Sequence, residues 1–225
     1  MANLIITIDG PAASGKSTVA RRLAEVLGAS FLDTGAMYRA VTLAAMRAGI
    51  AMSDEKQLVS ILNRYKFRFE AREGGMAVYV NGTDMTEQIR KPEVTANVRY
   101  IASSAKMREK LVEMQRQFAV RQRKMVTEGR DQGTVAFPDA DIKFYLTAEA
   151  IERAKRRQAE LQANGSSQSL EKIQVAIEER DKSDANRAIG PLKPADDAIV
   201  IDTTNLNIEE VVGKLLRCVN HRLRR

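Results

Sequence analysis

The chain has 225 residues, 44% hydrophobic and 29% charged, which suits one globular domain with inserted parts and excludes intrinsic disorder. No apolar run approaches the ~20 residues of a bilayer span. The opening MANLIITIDGPAASGK, whose apolar run stops at Asp9, is expected to be neither a signal peptide nor an anchor. The single cysteine, Cys218, excludes an intrachain disulfide, and the expectation is a cytoplasmic protein. A net charge of +7 fits nucleic acid, a membrane surface or small phosphorylated substrates without choosing among them.

In chain order, Leu4 to Ile8 forms a short apolar run that predicts a strand buried on both faces. Val19, Leu23, Val26 and Leu27 follow helical spacing, and Thr34 to Arg47 predicts a second helix ended by Gly49. Between Tyr65 and Glu87 the period changes: Phe67 and Phe69, then Val78 and Val80, alternate around turns at Gly74-Gly75 and Asn81-Gly82. This predicts an inserted antiparallel sheet of two or three short strands. Pro92 opens a helical region whose later part carries Met107, Leu111, Met114 and Phe118 on one face. Lys124 to Thr127 and Ile142 to Leu146 are strand candidates. A charged helix from Glu149 to Ala163 breaks at Asn164-Gly165-Ser166-Ser167, and another runs from about Ser169 to Asp184. A last strand, Ile199 to Ile201, precedes a helix striped by Ile208, Val211, Val212, Leu215, Leu216 and Val219. Alternating strands and helices imply an α/β fold with a parallel sheet core flanked by helices.

Gly10-Pro11-Ala12-Ala13-Ser14-Gly15-Lys16-Ser17 matches G-x-x-x-x-G-K-[ST], with a buried strand before it and an amphipathic helix after it. Glycines let the backbone curl around phosphate, and loop amides and the helix N-terminus point at the anion. Lys16 is placed to reach the β- and γ-phosphates of ATP and Ser17 to ligate Mg²⁺, with Thr18 completing the expected donor site. The alternative is a glycine-rich turn that binds nothing. The N-K-x-D and D-x-x-G patterns of GTPases do not occur, and no apolar strand ending in a Walker-type Asp stands out, as it would in a motor. Scattered arginines and an insert favour a kinase of a small phosphorylated acceptor.

Leu32-Asp33-Thr34-Gly35-Ala36-Met37-Tyr38-Arg39, Glu128-Gly129-Arg130-Asp131-Gln132-Gly133-Thr134, Asp184-Ala185-Asn186-Arg187, Pro191-Leu192 and Ile201-Asp202-Thr203-Thr204 together resemble bacterial cytidylate kinases over nearly the whole chain. The resemblance implies a P-loop nucleoside monophosphate kinase fold: a core (1–62, 93–147 and 188–225), a small antiparallel-β acceptor-binding insert (63–92) and a helical lid (148–187). It implies transfer of the γ-phosphoryl group of ATP to CMP or dCMP. Arg39, Arg130 and Arg187 would hold the acceptor phosphate, Arg108 and Asp131 would read the pyrimidine, and Thr34 would contact the acceptor. Asp184, with Arg180, would hold the ribose. Arg180, Asp184 and Arg187 also share one helical face at i, i+4, i+7. Lys16, Arg130, Arg187 and a lid arginine, Arg157, would act on the transferring group; Arg153 and Arg156 are weaker candidates, and pairing of Arg156 with Glu160 would make them a solvated face. The chain departs from the family pattern at Glu128, usually Asp, at Gln132, usually Met or Ile, and at Arg99, which aligns with a common base-contacting Ser and is expected to point outward.

The expected partners are ATP and CMP or dCMP, with no nucleic acid and no membrane, and the protein itself is expected to be a monomer. A phosphate acceptor is already anionic and needs no strong base, so His221 reads as a solvated surface residue and Cys218 as a buried thiol. Two other functions remain open: a kinase of UMP, AMP or shikimate, and an RNA-associated protein, against which 5% aromatic content and no stacking motif argue.

Overall fold

The computed structural model describes residues 4–73, 75–163 and 165–224; Gly74 of the expected turn, Asn164 of the expected break, the first three residues and Arg225 lie outside them. The core is a five-stranded parallel sheet. Its strands are β1 (Leu4–Asp9), β2 (Ser30–Asp33), β6 (Lys124–Gly129), β7 (Ile142–Thr147) and β8 (Ile199–Asp202), in the spatial order β2-β6-β1-β7-β8. β1 is central, pairing in parallel with β6 on one side and β7 on the other.

Period-two alternation sorts the strand residues between two layers. Ile6, Ile8, Val126, Phe144 and Leu146 pack against α1 (Lys16–Leu27) and α8 (Ile208–Leu223) through Val19, Leu23, Val211, Leu215 and Val219. Leu32 and Met125 belong to the larger core on the other face. That core draws on α2 (Thr34–Arg47), α3 (Glu55–Arg64), α4 (Pro92–Ser103) and α5 (Ala105–Val120). Both faces are covered, which is why β1 reads as a continuous apolar run rather than an alternating one.

The insert is a separate antiparallel sheet, β3 (Phe67–Arg72), β4 (Gly75–Val80) and β5 (Thr83–Asp84). Met76, Val78 and Val80 join it to the larger core. The charged helices are α6 (Ala150–Ala163) and α7 (Leu170–Ala185). They share only a small apolar cluster, Ala154, Ile173 and Ile177 with Leu161 and Leu170 beside it. Gly165 at φ +74° falls in the turn between them.

Two expectations change and one element is new. Val26 is 50% exposed, because the buried stripe of α1 runs through Val19, Ala20, Leu23 and Ala24 and position 26 falls on its rim. Cys218 is half-buried rather than buried. α3, too short and polar to stand out in the sequence, buries only Leu58 and Ile61.

Candidate active site

At the C-terminal end of β1 the chain turns sharply into the phosphate loop. A Cβ on Gly10 would lie 2.0 Å from the Leu146 carbonyl oxygen of β7, so only glycine fits where loop and strand touch. Ala13 and Gly15 take φ of +57° and +87°, curling the loop amides inward ahead of α1. Lys16 is buried and folds back over the loop, donating from Nζ to the Pro11 carbonyl at 2.5 Å. Burial, followed by the charge of Arg130, pushes its pKa down to about 7. Thr203, after β8, donates through Oγ1 to the carbonyls of Thr147 (3.0 Å) and Ser14 (3.4 Å), tying the loop to the sheet edge.

β6 runs two residues further than its apolar pattern indicates, which puts Glu128 at its C-terminal end beside the loop. Ser17 Oγ donates to Glu128 Oε1 at 2.9 Å. A hydroxyl and a carboxylate oxygen side by side are hard donors that suit Mg²⁺, which keeps waters and substrate oxygens for its other positions. Glu128 thus supplies a carboxylate where the sequence offers no Walker-type Asp. Thr18 is exposed in the first turn of α1. Asp9, at the end of β1, accepts from the Gln132 and Gly133 amides at 2.8 Å each. Burial pushes its pKa up to about 7 against the pull of those amides.

Beyond the loop, side chains from four elements meet. Arg130 Nε pairs with Asp184 Oδ2 at 2.9 Å, and Arg187 pairs with the other oxygen of the same carboxylate. Asp184 is 2% exposed. Desolvation opposes the charge on Arg130, but Asp184 and Glu128 hold its pKa above the usual arginine value. Arg187 moves the other way, through burial. Arg180 is solvent-accessible; the surrounding protein and then Arg130 push its pKa down to about 10. Arg39 Nη1 is buried with no hydrogen-bond partner, 4.0 Å from Asp33 Oδ1. A cationic donor left open at the edge of such a cluster is a seat for an oxyanion. Thr34 commits its hydroxyl to the Glu128 carbonyl at 2.7 Å, fixing the start of α2 against β6.

Arg108 of α5 and Asp131 form a buried ion pair. Burial raises the Asp131 pKa against the opposing pull of Arg108. The Arg108 guanidinium lies 5.9 Å from the Tyr38 ring centroid, and the Tyr38 hydroxyl is pushed up to about 12 by burial. Gly190, at φ +61°, lies over the pair so closely that a Cβ there would stand 2.1 Å from Arg108 Nη2. Arg99 points away, exposed, with Nη2 3.2 Å from the Tyr100 hydroxyl.

The model of one protein family, cytidylate kinase, matches residues 6–221. The chain belongs to the cytidylate kinase family. It is 46% identical to a cytidylate kinase of a Geobacillus species over 221 residues, 98% of each chain. It is 45% identical to that of Lactobacillus johnsonii over 95% of this chain and 93% of the relative. Among solved structures, a shikimate kinase from Bacteroides thetaiotaomicron shares the fold at TM-score 0.50 and 13% identity, covering 96% of this chain and 98% of that one. An uncharacterized protein from Eubacterium ventriosum does so at TM-score 0.53 and 12% identity, covering 97% and 99%.

Lys16, Ser17, Arg39, Arg108, Arg130, Asp131, Arg180, Asp184 and Arg187 form one group linked by ion pairs, hydrogen bonds and mutual charge effects, while Arg157 stands apart. Arg157 is exposed on α6 and pairs with Glu160 at 2.9 Å. Arg156, rather than pairing with Glu160, donates to the Thr203 carbonyl at 2.5 Å and its Oγ1 at 3.1 Å. Arg153 is buried against the phosphate loop, donating to the Ala12 carbonyl at 3.1 Å. The sequence favours Arg157 over Arg153 and Arg156, because helical spacing does not tell which side of α6 meets the loop. It does not mark Asp181, Arg90 or Tyr145. Asp181 accepts from the Ala12 amide, and Arg90 reaches Asp33 Oδ2 at 3.3 Å. Tyr145 is half-buried, its pKa raised by burial and the nearby charges of Asp181 and Asp9. Among the described residues, no helix is long and apolar enough to cross a membrane.

Proposed function

We propose that this protein transfers the γ-phosphoryl group of ATP to CMP or dCMP, giving ADP and CDP or dCDP. The phosphate loop receives the donor, with Gly10, Pro11, Ala12, Ala13, Ser14, Gly15, Lys16, Ser17 and Thr18 around its phosphates. Ser17 and Glu128 would hold Mg²⁺, which when bound neutralises the β- and γ-phosphate charge. The acceptor phosphate is itself the nucleophile, so the protein's task is to bring two anions together without water. Arg39, Arg130 and Arg187 neutralise the acceptor phosphate. Asp184 keeps Arg130 and Arg187 charged and aligned until it arrives. Arg180 and Asp184 face the ribose, and closure of the α6–α7 pair as a lid excludes water.

One observation carries the choice of base: the buried Arg108–Asp131 pair. Cytosine presents an amino donor where uracil presents a carbonyl acceptor. A carboxylate accepts from the first and is repelled by the second, while Arg108 donates to the ring acceptors. With its groups buried, such a site rejects a partner that leaves them unpaired. A cytoplasmic monomer acting on small molecules fits this reading. Asp131→Ala tests it. The kcat/KM for CMP falls far more than that for UMP, and an unchanged CMP:UMP ratio would show that the base is read elsewhere.

A further inference from the structure

The α6–α7 pair meets the phosphate loop through Ala13, which packs on its small apolar cluster, through Arg153 and through one carboxylate. Asp181 Oδ1 accepts from the Ala12 amide at 3.1 Å, and its Oδ2 pairs with the Arg153 guanidinium. Arg153 is fixed further by donating from Nε to the Ala148 carbonyl at 2.9 Å and from Nη1 to the Ala12 carbonyl at 3.1 Å. Both side chains are largely buried, at 8% and 19% exposure. Ala12 adjoins Pro11, whose carbonyl holds the Lys16 ammonium. The carboxylate therefore sits at the part of the loop that the lysine serves, where the outer phosphates of a nucleotide belong.

An oxyanion held by a loop amide and a guanidinium makes the contacts that a phosphate oxygen makes in such loops. None of the substrate roles above uses Asp181. We propose that Asp181 is a resident substitute for a terminal phosphate oxygen of ATP. In the empty protein it occupies the Ala12 amide and neutralises Arg153. When ATP binds, both pass from the carboxylate to the γ-phosphate, and Arg153 becomes a catalytic residue on the transferring group. No covalent bond changes in this exchange; one anion displaces another, and Arg130, which already feels the charge of Asp181, remains nearby as a partner. The contact also clamps α6 and α7 onto an empty loop, so donor binding and this clamp oppose each other, and ATP binding favours its release. The donor's identity as ATP rests on the proposed phosphotransferase activity. The exchange itself is read by binding alone, without an acceptor.

The test is calorimetric binding of ATP and of ADP to the full chain and to Asp181→Asn and Asp181→Ala. Asn keeps the shape and an acceptor for the Ala12 amide while removing the ion pair, so it serves even where the alanine variant folds poorly. Removing the resident anion tightens ATP binding by roughly fivefold or more, with a smaller gain for ADP, which lacks the terminal phosphate. Arg153→Lys lowers kcat while leaving the KM for CMP near its original value. Unchanged or weakened ATP binding in both Asp181 variants, or equal gains for ATP and ADP, overturns the proposal and leaves Asp181 a fixed brace of the loop.

Discussion

The proposed donor and acceptor ends of the site are built from different materials. The donor end is main chain: an amide-lined loop wedged between β1 and α1, held by a glycine whose Cβ would strike Leu146 and by Thr203 at the sheet edge. The acceptor end is side chain: Arg39 on α2, Arg108 on α5, Arg130 and Asp131 after β6, and Asp184 and Arg187 at the end of α7. Main chain fixed by a sheet needs little further organisation. Arginines drawn from four elements need carboxylates to hold them apart and in place, and Asp131 and Asp184 do so.

The largest effect belongs at the donor end. Lys16→Met removes the ammonium proposed to neutralise the phosphates and lowers kcat by about 10³-fold or more, with an unchanged melting profile. Normal turnover by the folded variant would break the contrast. At the acceptor end, Asp131→Ala leaves Arg108 as an uncompensated buried charge. Chemical denaturation should show a loss of about 3–5 kcal/mol in addition to the lost base preference. Stability equal to the parent would mean that the pair is not buried in solution.

A smaller effect concerns pH. Lys16, held near pKa 7 by burial and by Arg130, is largely neutral above that value in the empty protein. The phosphates of ATP favour its charged form, so binding takes up a proton above about pH 7 and none well below it. ATP affinity therefore declines as pH rises beyond 7, by at most about tenfold per unit. Calorimetry in buffers of different ionisation enthalpy reads the uptake directly, and affinity independent of pH between 6 and 9 would contradict it. The smallest effect is that of Arg157→Ala. With Arg157 exposed and paired to Glu160, its loss changes kcat less than loss of Arg153 or Arg156; a drop as large as theirs would put Arg157 on the phosphoryl group once the lid closes.

The same contrast explains what could be read in the sequence. The donor end is legible because its residues are contiguous and each has a backbone reason to be there. The parallel core is legible because strands covered on both faces leave unbroken apolar runs, and α2 begins and ends where its pattern predicts. The proposed acceptor residues lie far apart in the chain, and spacing alone unites only Arg180 and Asp184: α7 ends at Ala185, so Arg187, expected on the same helical face, lies beyond the helix and reaches Asp184 from the following turn; resemblance supplies the others. What neither reveals is orientation. Arg153, Arg156 and Arg157 are chemically equivalent in sequence, and only the packing of α6 decides that the first two face the loop. Glu128 is visible as a departure from the family pattern, but its bond to Ser17 depends on strand register, because β6 continues through Glu128 and Gly129, beyond the stretch its sequence pattern marks.

The central claim, that a phosphate-loop kinase reads cytosine through Arg108 and Asp131, meets its most direct test in a coupled assay of the unaltered protein. CMP, dCMP, UMP and AMP are compared as acceptors with ATP and Mg²⁺. The geometry predicts the highest kcat/KM for CMP and dCMP, with UMP and AMP far below. A kcat/KM for UMP or AMP equal to or above that for CMP would contradict it.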